Sequence, residues 1–296
     1  MKYHMIALFT IFVWGITFVS TKVLLLTFTP LWILLLRFVI GFFALCILRP
    51  HILPMKEKRH EILFAAAGIT GIAAYFLLEN IALVFTTATA VGVIVAAAPL
   101  FTALAQAALG DRSALNLRFF LGFVVAMTGL IIVSLNNGIT DQAFPATNSY
   151  ALLGNALALA AALLWAIYSV LVKSIANLGY ETIASTKRIF FWGLLCIMPA
   201  TFLFGQGVPP LSSLIDPINA ANLLFLGAIA SAACFVTWGV SVKNLGAAVS
   251  TTYIYLVPAI TSTSSILVLG EPLNCTIIIG VLLTIAGLLL SHSKTS

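Results

Sequence analysis

The sequence predicts an all-α integral membrane protein with ten transmembrane helices, arranged as two inverted five-helix repeats with both termini on the cytoplasmic side. Three observations predict this fold: an apolar composition, basic residues confined to alternate connections, and residues that recur at a nearly constant spacing. Of the 296 residues, 62% are hydrophobic and 7% are charged, whereas an ordinary soluble domain is about 45–50% apolar and about 25% charged. This composition argues against soluble, disulfide-scaffold, disordered and nucleic-acid-binding proteins.

Ten apolar segments are long enough to cross a bilayer, whose hydrocarbon core of about 30 Å requires about 20 helical residues. The first segment continues to about Phe28 without a small-residue cleavage site. It is therefore predicted to be a spanning helix rather than a signal peptide. The predicted segments are 5–27, 30–48, 61–84, 87–109, 116–135, 149–173, 181–204, 220–242, 247–269 and 273–291.

Basic residues fall on every second connection between these segments. They are, in chain order, Lys2, Arg49, Lys56, Lys58, Arg59, Arg112, Arg118, Lys173, Lys243 and Lys294. The five other connections contain no Lys or Arg. Because basic residues concentrate in cytoplasmic loops, both termini are predicted to be cytoplasmic, in a multi-pass protein of a bacterial inner (plasma) membrane.

The two halves of the chain repeat rare residues at similar spacings. Three pairs are 151 positions apart: Trp14 and Trp165, Lys22 and Lys173, and Arg37 and Arg188. Later pairs are 158 or 159 positions apart: Pro99 and Pro258, Gly122 and Gly280, and Gly129 and Gly287. We call such pairs corresponding residues, and they define two predicted repeats, 1–138 and 149–293.

Each predicted repeat has five helices. Because five is odd, the second repeat enters the membrane from the opposite side. Inverted repeats recur in secondary transporters, with the substrate site near the midplane between the halves. A transporter is therefore the favoured interpretation, although channels and other duplicated membrane proteins share this pattern.

Several short motifs appear in both halves, in the same order. The first half contains Phe12–Phe18, Pro30, Arg37, Ala82-Leu83, Thr86–Ala90, Pro99–Phe101 and Gly110–Arg112; the second contains Leu245–Ala248, Val257-Pro258 and Gly270–Leu273. In these motifs the chain resembles the drug/metabolite transporter superfamily, specifically its EamA-like ten-helix branch. The resemblance implies transport by alternating access, often export of amino acids, other metabolites or toxic compounds, without indicating which compound.

The predicted function is secondary active transport, with export of amino acids or related small metabolites across the inner membrane. Broad-specificity drug efflux is the first alternative. An intramembrane enzyme is the second, but the four histidines, His4, His51, His60 and His292, all lie near predicted cytoplasmic edges. The expected partners are a small-molecule substrate, the lipid bilayer and the proton as candidate coupling ion, without nucleic acid. The protein is expected to act as a monomer or homodimer.

No cofactor or metal is expected. The chain lacks a Gly-x-x-x-x-Gly-Lys-Ser/Thr loop, which argues against an ATP-driven pump. Its four cysteines, Cys46, Cys196, Cys234 and Cys275, show no metal-ligand spacing. They are interpreted as small buried side chains.

Charged side chains within the membrane are candidates for function, because each costs about 2.5–3.5 kcal/mol on insertion scales. Counting along the predicted helices places Lys22, Arg37 and Glu79 at one level near the outer end, where Glu79 could pair with either base. These residues could form an outer gate or a proton- or substrate-responsive site. Alternatively, they form a structural ion pair or the bases snorkel to the headgroups. The recurrence of Arg37 as Arg188 favours a scaffold role, whereas Glu79 corresponds to Trp238.

Two prolines and several mid-membrane side chains complete the candidate site. Pro99 and Pro258 are predicted to kink their helices and act as hinges, and the carbonyls freed near Val95 and Ile254 could face a cavity. Both prolines could instead form ordinary kinks. The candidates for substrate binding or gating are Glu79, Lys22, Trp14, Asn80, Trp165, Tyr168, Trp238, Tyr253 and Arg37. For each aromatic or amide side chain, simple packing is the alternative.

Overall fold

Every regular element that the structure describes is helical, and a helix satisfies its backbone hydrogen bonds within one segment, which suits an apolar chain in a membrane. The structure is a computed structural model that describes residues 2–108, 110, 115–136, 148–245, 250, 253–271 and 275–292. We label its helices α1 Lys2–Leu24, α2 Pro30–Leu48, α3 His60–Phe85, α4 Ala88–Ala108, α5 Leu117–Asn136, α6 Asn148–Asn177, α7 Thr182–Phe204, α8 Pro217–Leu245, α9 Tyr253–Leu269 and α10 Cys275–His292. A short helix, Leu211–Ile215, precedes α8.

Among the described residues, seven helices are long and apolar enough to cross a membrane, namely α1 to α4 and α6 to α8. The apolar stretches of α5, α9 and α10 are shorter: Leu117–Val133, Tyr253–Leu269 and Cys275–Gly287. The chain is therefore a multi-pass membrane protein. The count of ten spans and their orientation stay predictions.

Some predicted residues lie outside the described part of the chain. These are Asp111 and Arg112 of the first Gly-Asp motif, Gly246, Ala247 and Ala248, Pro272 and Leu273, Lys294, and the repeat boundaries at 138 and 293.

The two tightest predicted connections are present and have clear helix-start chemistry. α2 begins at Pro30, after Thr29 in an extended conformation (φ −71°, ψ 156°), because proline suits the first helical position. α4 begins after Thr87, whose hydroxyl accepts a hydrogen bond from the Ala90 amide at 3.1 Å. By contrast, α1 ends at Leu24, three residues before the predicted 27.

Two helices contain π-helical segments at corresponding positions. In α3 the segment Gly68–Ala74 separates α-helical His60–Ala67 from Tyr75–Phe85. In α8 the segment Phe225–Ala233 separates Pro217–Leu224 from Cys234–Leu245. Such segments are frequent at functional sites, and the side chains described below follow each one directly.

Both predicted hinge prolines lie at helix interruptions rather than at simple kinks. α4 consists of Ala88–Val95 and Ala98–Ala108, so Pro99 is the second residue after the break. α9 consists of a 3₁₀ turn, Tyr253–Leu256, followed by Val257–Leu269, in which Pro258 is again second. Proline fits there because the first turn of a helix leaves its amides unbonded.

The halves interlock through reciprocal helix contacts, with α2 packed on α8 and α7 packed on α3. A Cβ atom at Gly41 of α2 would lie 3.1 Å from the Gly227 carbonyl oxygen of α8. A Cβ atom at Gly68 of α3 would lie 2.7 Å from the Gly193 amide nitrogen of α7. Small residues permit such close approach of membrane helices.

A third close contact joins α5 to α10. A Cβ atom at Gly129 would lie 2.5 Å from the Gly280 carbonyl oxygen, and one at Gly287 would lie 2.6 Å from the Gly122 carbonyl oxygen. The recurring glycines therefore permit the close packing of α5 on α10.

Candidate functional site

A cavity of about 40 Å³ lies between the two halves at the centre of the helix bundle. Three pairs of corresponding residues line it: Trp14 with Trp165, Val95 with Ile254, and Ala98 with Val257. The other lining residues come from the first half alone: Thr17, Phe18, Arg37, Tyr75, Phe76 and Glu79. We call this the central cavity. Val95, which ends the first segment of α4, and Ile254, which lies in the 3₁₀ turn of α9, both line it.

Arg37 is completely buried in this cavity. Its Nε atom donates a hydrogen bond to the Ser231 hydroxyl of α8 at 3.1 Å. Its guanidinium carbon lies 4.3 Å from the centroid of the Phe76 ring, a distance typical of a cation–π contact. The Nη1 atom has no hydrogen-bond partner. The guanidinium is therefore fixed by Ser231 and Phe76, while its Nη1 atom can still donate a hydrogen bond.

Glu79 lies on the same cavity wall and is 1% exposed. Arg37 and Tyr75 are its electrostatic neighbours. Its Oε1 atom has no hydrogen-bond partner, and among the described ion pairs none joins Arg37 to Glu79. The structure thus brings these two predicted residues together, but the direct Arg37–Glu79 pair that the sequence suggested is wrong.

Lys22 is separated from that site. Its Nζ atom donates a hydrogen bond to the Thr86 carbonyl oxygen at 2.7 Å. Thr86 follows Glu79 by seven positions, which corresponds to about 10 Å of helix rise. The predicted common level of Lys22, Arg37 and Glu79 is therefore wrong. The reason is that α1 ends at Leu24, so that Lys22 lies in its last turn and reaches the carbonyl end of α3.

The connection between α3 and α4 and the first two residues of α4, together residues 86–89, are bonded to three other parts of the chain, and we call them the α3–α4 turn. Besides the bond from Lys22, the Thr86 hydroxyl donates to Asn155 Oδ1 of α6 at 3.0 Å. Glu271, which follows α9, accepts hydrogen bonds from the Ala88 amide at 2.8 Å and from the Thr89 hydroxyl at 2.7 Å. A carboxylate is favourable at the positive N-terminal end of a helix. Sequence reasoning missed this role of Glu271, although the residue stands in a recurring motif.

A second cavity of about 110 Å³ lies among α6, α7 and α8. It lies towards the α6–α7 connection, because Tyr180 and Thr182 line it. Tyr180 also accepts a hydrogen bond from the Lys56 amide at 3.0 Å, which places it at the opposite end of α3 from the α3–α4 turn. Tyr168 and Trp238, predicted as substrate-binding residues, line this second cavity rather than the central one.

Four aromatic rings separate the two cavities, and we call them the aromatic partition: Trp14, Trp165, Phe235 and Trp238. The Trp14 ring centroid lies 5.4 Å from that of Trp165 and 5.2 Å from that of Trp238. Phe235 packs on Trp14 at 5.7 Å and on Trp165 at 6.1 Å. Sequence reasoning missed Phe235. The repeat contained a signal for it, because Phe235 corresponds to Phe76 at a spacing of 159.

Two further predicted site residues have structural partners outside the central cavity. Asn80 donates a hydrogen bond to the Pro30 carbonyl oxygen at 3.1 Å and so joins α3 to the start of α2. The Tyr253 hydroxyl is hydrogen-bonded to Nδ1 of His4 at 2.6 Å. Among the described residues, no group of three or more His, Cys, Asp or Glu side chains could hold a metal.

Arg188, the residue that corresponds to Arg37, lies outside the central cavity. Its Nε and Nη2 atoms donate two hydrogen bonds of 2.8 Å each to the carboxylate of Glu61. The Trp192 indole donates to the same carboxylate at 2.5 Å. This bidentate geometry satisfies both charges.

The sequence matches the family model described as EamA-like transporter family over residues 1–135 and 152–292. The resemblance that the motifs indicated is therefore confirmed. An uncharacterized transporter of Archaeoglobus fulgidus is 25% identical and aligns over 99% of this chain and 98% of that protein.

Two other relatives have more specific descriptions. A probable terminal-alkyne amino-acid exporter of Streptantibioticus cattleyicolor is 27% identical over 97% of this chain and 92% of its own length. A probable amino-acid metabolite efflux pump of Escherichia coli is 25% identical over 97% of this chain and 93% of its own length. One solved crystal structure superposes with a TM-score of 0.66 at 18% identity, covering 98% of this chain and 96% of the other. That last likeness is one of fold alone.

Proposed function

The chain belongs to the EamA-like transporter family, and from this membership we propose that it exports amino acids or related small metabolites by secondary active transport. The observation that carries the proposal is the central cavity, whose walls include corresponding residues of both halves, such as Trp14 and Trp165. In transporters with inverted repeats, the substrate lies between the repeats near the midplane. The family and its named members are transporters, not enzymes.

The proposed architecture has ten transmembrane helices in two inverted repeats, residues 1–138 and 149–293. The family model matches two successive stretches of the chain, which supports this division. The reciprocal contacts of α2 with α8 and of α7 with α3, and the π-helical segments at corresponding positions, support it further. Each is a feature that a two-fold axis in the membrane plane would produce.

We place both termini in the cytoplasm and the protein in a bacterial inner membrane. The support comes from the basic connections, because positive charge concentrates on the cytoplasmic side. Two of these basic residues contact the α6–α7 connection: Arg49 pairs with Glu181 at 2.9 Å, and Lys56 Nζ donates to the Leu178 carbonyl oxygen at 2.6 Å. In this orientation the α3–α4 turn is at the outer end and the second cavity is at the inner end.

Alternating access would then consist of rocking between the two halves. The central cavity of about 40 Å³ is far below the roughly 300–1,000 Å³ of ligand pockets, so the conformation described is contracted around the site. The α3–α4 turn closes the outer end, and the aromatic partition separates the site from the inner cavity. Helix breaks before Pro99 and Pro258 would serve as the hinges.

The first test is counterflow of radiolabelled amino acids in proteoliposomes, with unlabelled amino acids and metabolites as competitors. We expect saturable counterflow of at least one amino acid. Empty liposomes, and proteoliposomes of heat-denatured protein, are the controls. Absence of counterflow for every amino acid tested would contradict the proposal.

Glu79 is the residue proposed to couple transport to protons. It is the one acidic side chain among the described residues that line the central cavity, and its carboxylate is shielded from water. Wild-type protein should accumulate substrate against its gradient when a pH gradient is imposed, whereas Glu79→Gln should show no accumulation at any imposed gradient. Unchanged transport by Glu79→Gln at every imposed gradient would exclude this role.

Broad-specificity drug efflux is the second candidate. The observation that favours it is the aromatic wall of Trp14, Trp165, Tyr75 and Phe76 beside an acidic residue, since aromatic faces attract flat and cationic ligands. Efflux of a lipophilic cationic dye, with no amino-acid counterflow, would favour this function over the first.

A further inference from the structure

We propose that Arg37 and Glu79 bind the two ionic groups of one zwitterionic α-amino acid, whose side chain is apolar. Arg37 would hold the carboxylate and Glu79 the ammonium group. This inference rests on the proposed function and names the substrate class and the two residues that recognise it.

The first argument is the state of two buried polar atoms. Arg37 is 0% exposed and its Nη1 donor has no partner; Glu79 is 1% exposed and its Oε1 acceptor has no partner. Buried polar atoms are nearly always hydrogen-bonded, so each exception requires an explanation. One donor and one acceptor, both charged and both in the wall of one cavity, are complementary to a ligand that carries a carboxylate and an ammonium group.

The second argument is that Arg37 and Glu79 are kept from neutralising each other directly. The Ser231 hydroxyl accepts from Arg37 Nε at 3.1 Å, and Phe76 lies against the guanidinium at 4.3 Å. These contacts come from α8 and α3, so they fix the guanidinium across the interface between the halves. A planar guanidinium held in this way is suited to a carboxylate, which it can bind through two parallel hydrogen bonds.

The third argument concerns the rest of the wall. Apart from Arg37 and Glu79, the residues described in the lining carry no charge, and most are apolar or aromatic, such as Trp14, Trp165 and Ile254. A charged substrate side chain would find no partner there and would be costly to bury. An aliphatic or aromatic side chain would pack between the tryptophans once the cavity widens.

The corresponding residues of the second half offer no such pair. Arg188 is already bonded to Glu61, and the position corresponding to Glu79 is Trp238. The substrate would therefore bind in one orientation, with both of its charges on the first half.

The test that requires no mutation is a ligand series against the wild-type protein. Counterflow of radiolabelled L-leucine is measured in the presence of unlabelled leucine, N-acetylleucine, which lacks the ammonium group, or 3-methylbutylamine, which lacks the carboxylate. Because hydrogen bonds to charged groups are the stronger ones, each truncated analogue should compete at least about tenfold more weakly than leucine. L-Lysine and L-glutamate should also compete weakly.

Two variants test which residue recognises which group. Glu79→Gln should lose the discrimination between leucine and N-acetylleucine, and Arg37→Gln should lose the discrimination between leucine and 3-methylbutylamine. Arg188→Gln is the matched control, because it removes the corresponding arginine outside the cavity. It should still discriminate between leucine and each of the two truncated analogues. Ligand-induced thermal stabilisation of the purified protein gives the same ratios if transport by a variant is too slow.

The outcomes separate the two proposals. Leucine counterflow with equal competition by both truncated analogues would overturn the zwitterion site and leave amino-acid transport standing. Absence of counterflow for every amino acid would overturn the proposed function itself. If neither variant folds, the competition by the truncated analogues against the wild-type protein decides whether the zwitterion site stands.

Discussion

Arg37 and Arg188 occupy corresponding positions in the two halves, yet their surroundings are opposite. Arg188 is 29% exposed and makes two hydrogen bonds to Glu61. Arg37 is entirely buried, bonds to a serine hydroxyl, and leaves one nitrogen without a partner. Each half thus carries an arginine at the corresponding position, but of the two Arg188 alone is directly bonded to a carboxylate. A buried charge without a directly bonded partner is costly, which is why Arg37, and not Arg188, is the functional candidate.

The same difference extends to the two cavities. In the first half, Tyr75, Phe76 and Glu79 follow the π-helical segment of α3 and line the central cavity. In the second half, Phe235 and Trp238 follow the π-helical segment of α8 and line the second cavity. The backbone features recur, whereas Trp238 occupies the position that corresponds to Glu79, and the charged residue described in the lining of the second cavity is Lys243. The two halves therefore resemble each other in backbone features and differ in the side chains that line the cavities.

The largest expected effect separates the two arginines. Arg37→Met should reduce amino-acid transport about 100-fold, because hydrogen bonds to charged groups contribute about 1.5–3 kcal/mol and Glu79 loses its neighbouring positive charge. Arg188→Met should retain most of the transport. Initial rates of counterflow at equal amounts of folded protein measure both. Equal losses in the two variants would mean that both arginines are scaffold residues.

The second prediction concerns the glycines at the reciprocal helix contacts. A Cβ atom at Gly68 would lie 2.6 Å from the Ile189 carbonyl oxygen and 2.7 Å from the Gly193 amide nitrogen, so that only backbone movement could relieve it. At Gly227 the closest atoms belong to the Ile40 side chain, at 2.6 Å, and the nearest backbone atom, the Arg37 carbonyl oxygen, is farther away at 2.9 Å. Overpacking costs about 1–3 kcal/mol, and we expect Gly68→Ala near the upper end and Gly227→Ala near the lower end.

Thermal unfolding in detergent tests this order. Ile69→Ala is a suitable control, because Ile69 adjoins Gly68 but is 46% exposed, and it should change the stability little. Greater destabilisation by Gly227→Ala than by Gly68→Ala would show that the α2–α8 contact is the tighter of the two.

Sequence reasoning identified the helices from a local pattern and the corresponding residues from their spacing. Hydrophobic segment length identified the helices, and the spacing of Trp14 and Trp165 aligned two residues that meet in the structure at 5.4 Å. Sequence reasoning failed where the position or partner of a side chain depends on tertiary contacts. The early end of α1 changes the level that Lys22 reaches. The hydrogen bonds that Glu271 accepts from the first amides of α4 join positions about 180 residues apart, which no local pattern reveals.

The smallest expected effect separates the two corresponding lysines. Lys22 is 2% exposed and donates to the Thr86 carbonyl oxygen at 2.7 Å, whereas Lys173 is half-buried near the opposite end of the bundle. Lys22→Met should destabilise the α3–α4 turn by about 1–2 kcal/mol, since a buried carbonyl loses its donor. Lys173→Met should have an effect within about 0.5 kcal/mol.

Cysteine accessibility distinguishes these two lysines without requiring transport. A cysteine introduced at Thr87, in the α3–α4 turn, should react faster with an impermeant maleimide in the Lys22→Met background than in wild type, because the turn opens more often. The Lys173→Met background should leave the rate unchanged. An equal increase of the maleimide reaction rate in both backgrounds would mean that closure of the α3–α4 turn depends on the stability of the whole helix bundle. Acceleration by Lys22→Met alone would assign it to a single buried ammonium group that joins the end of α1 to the end of α3.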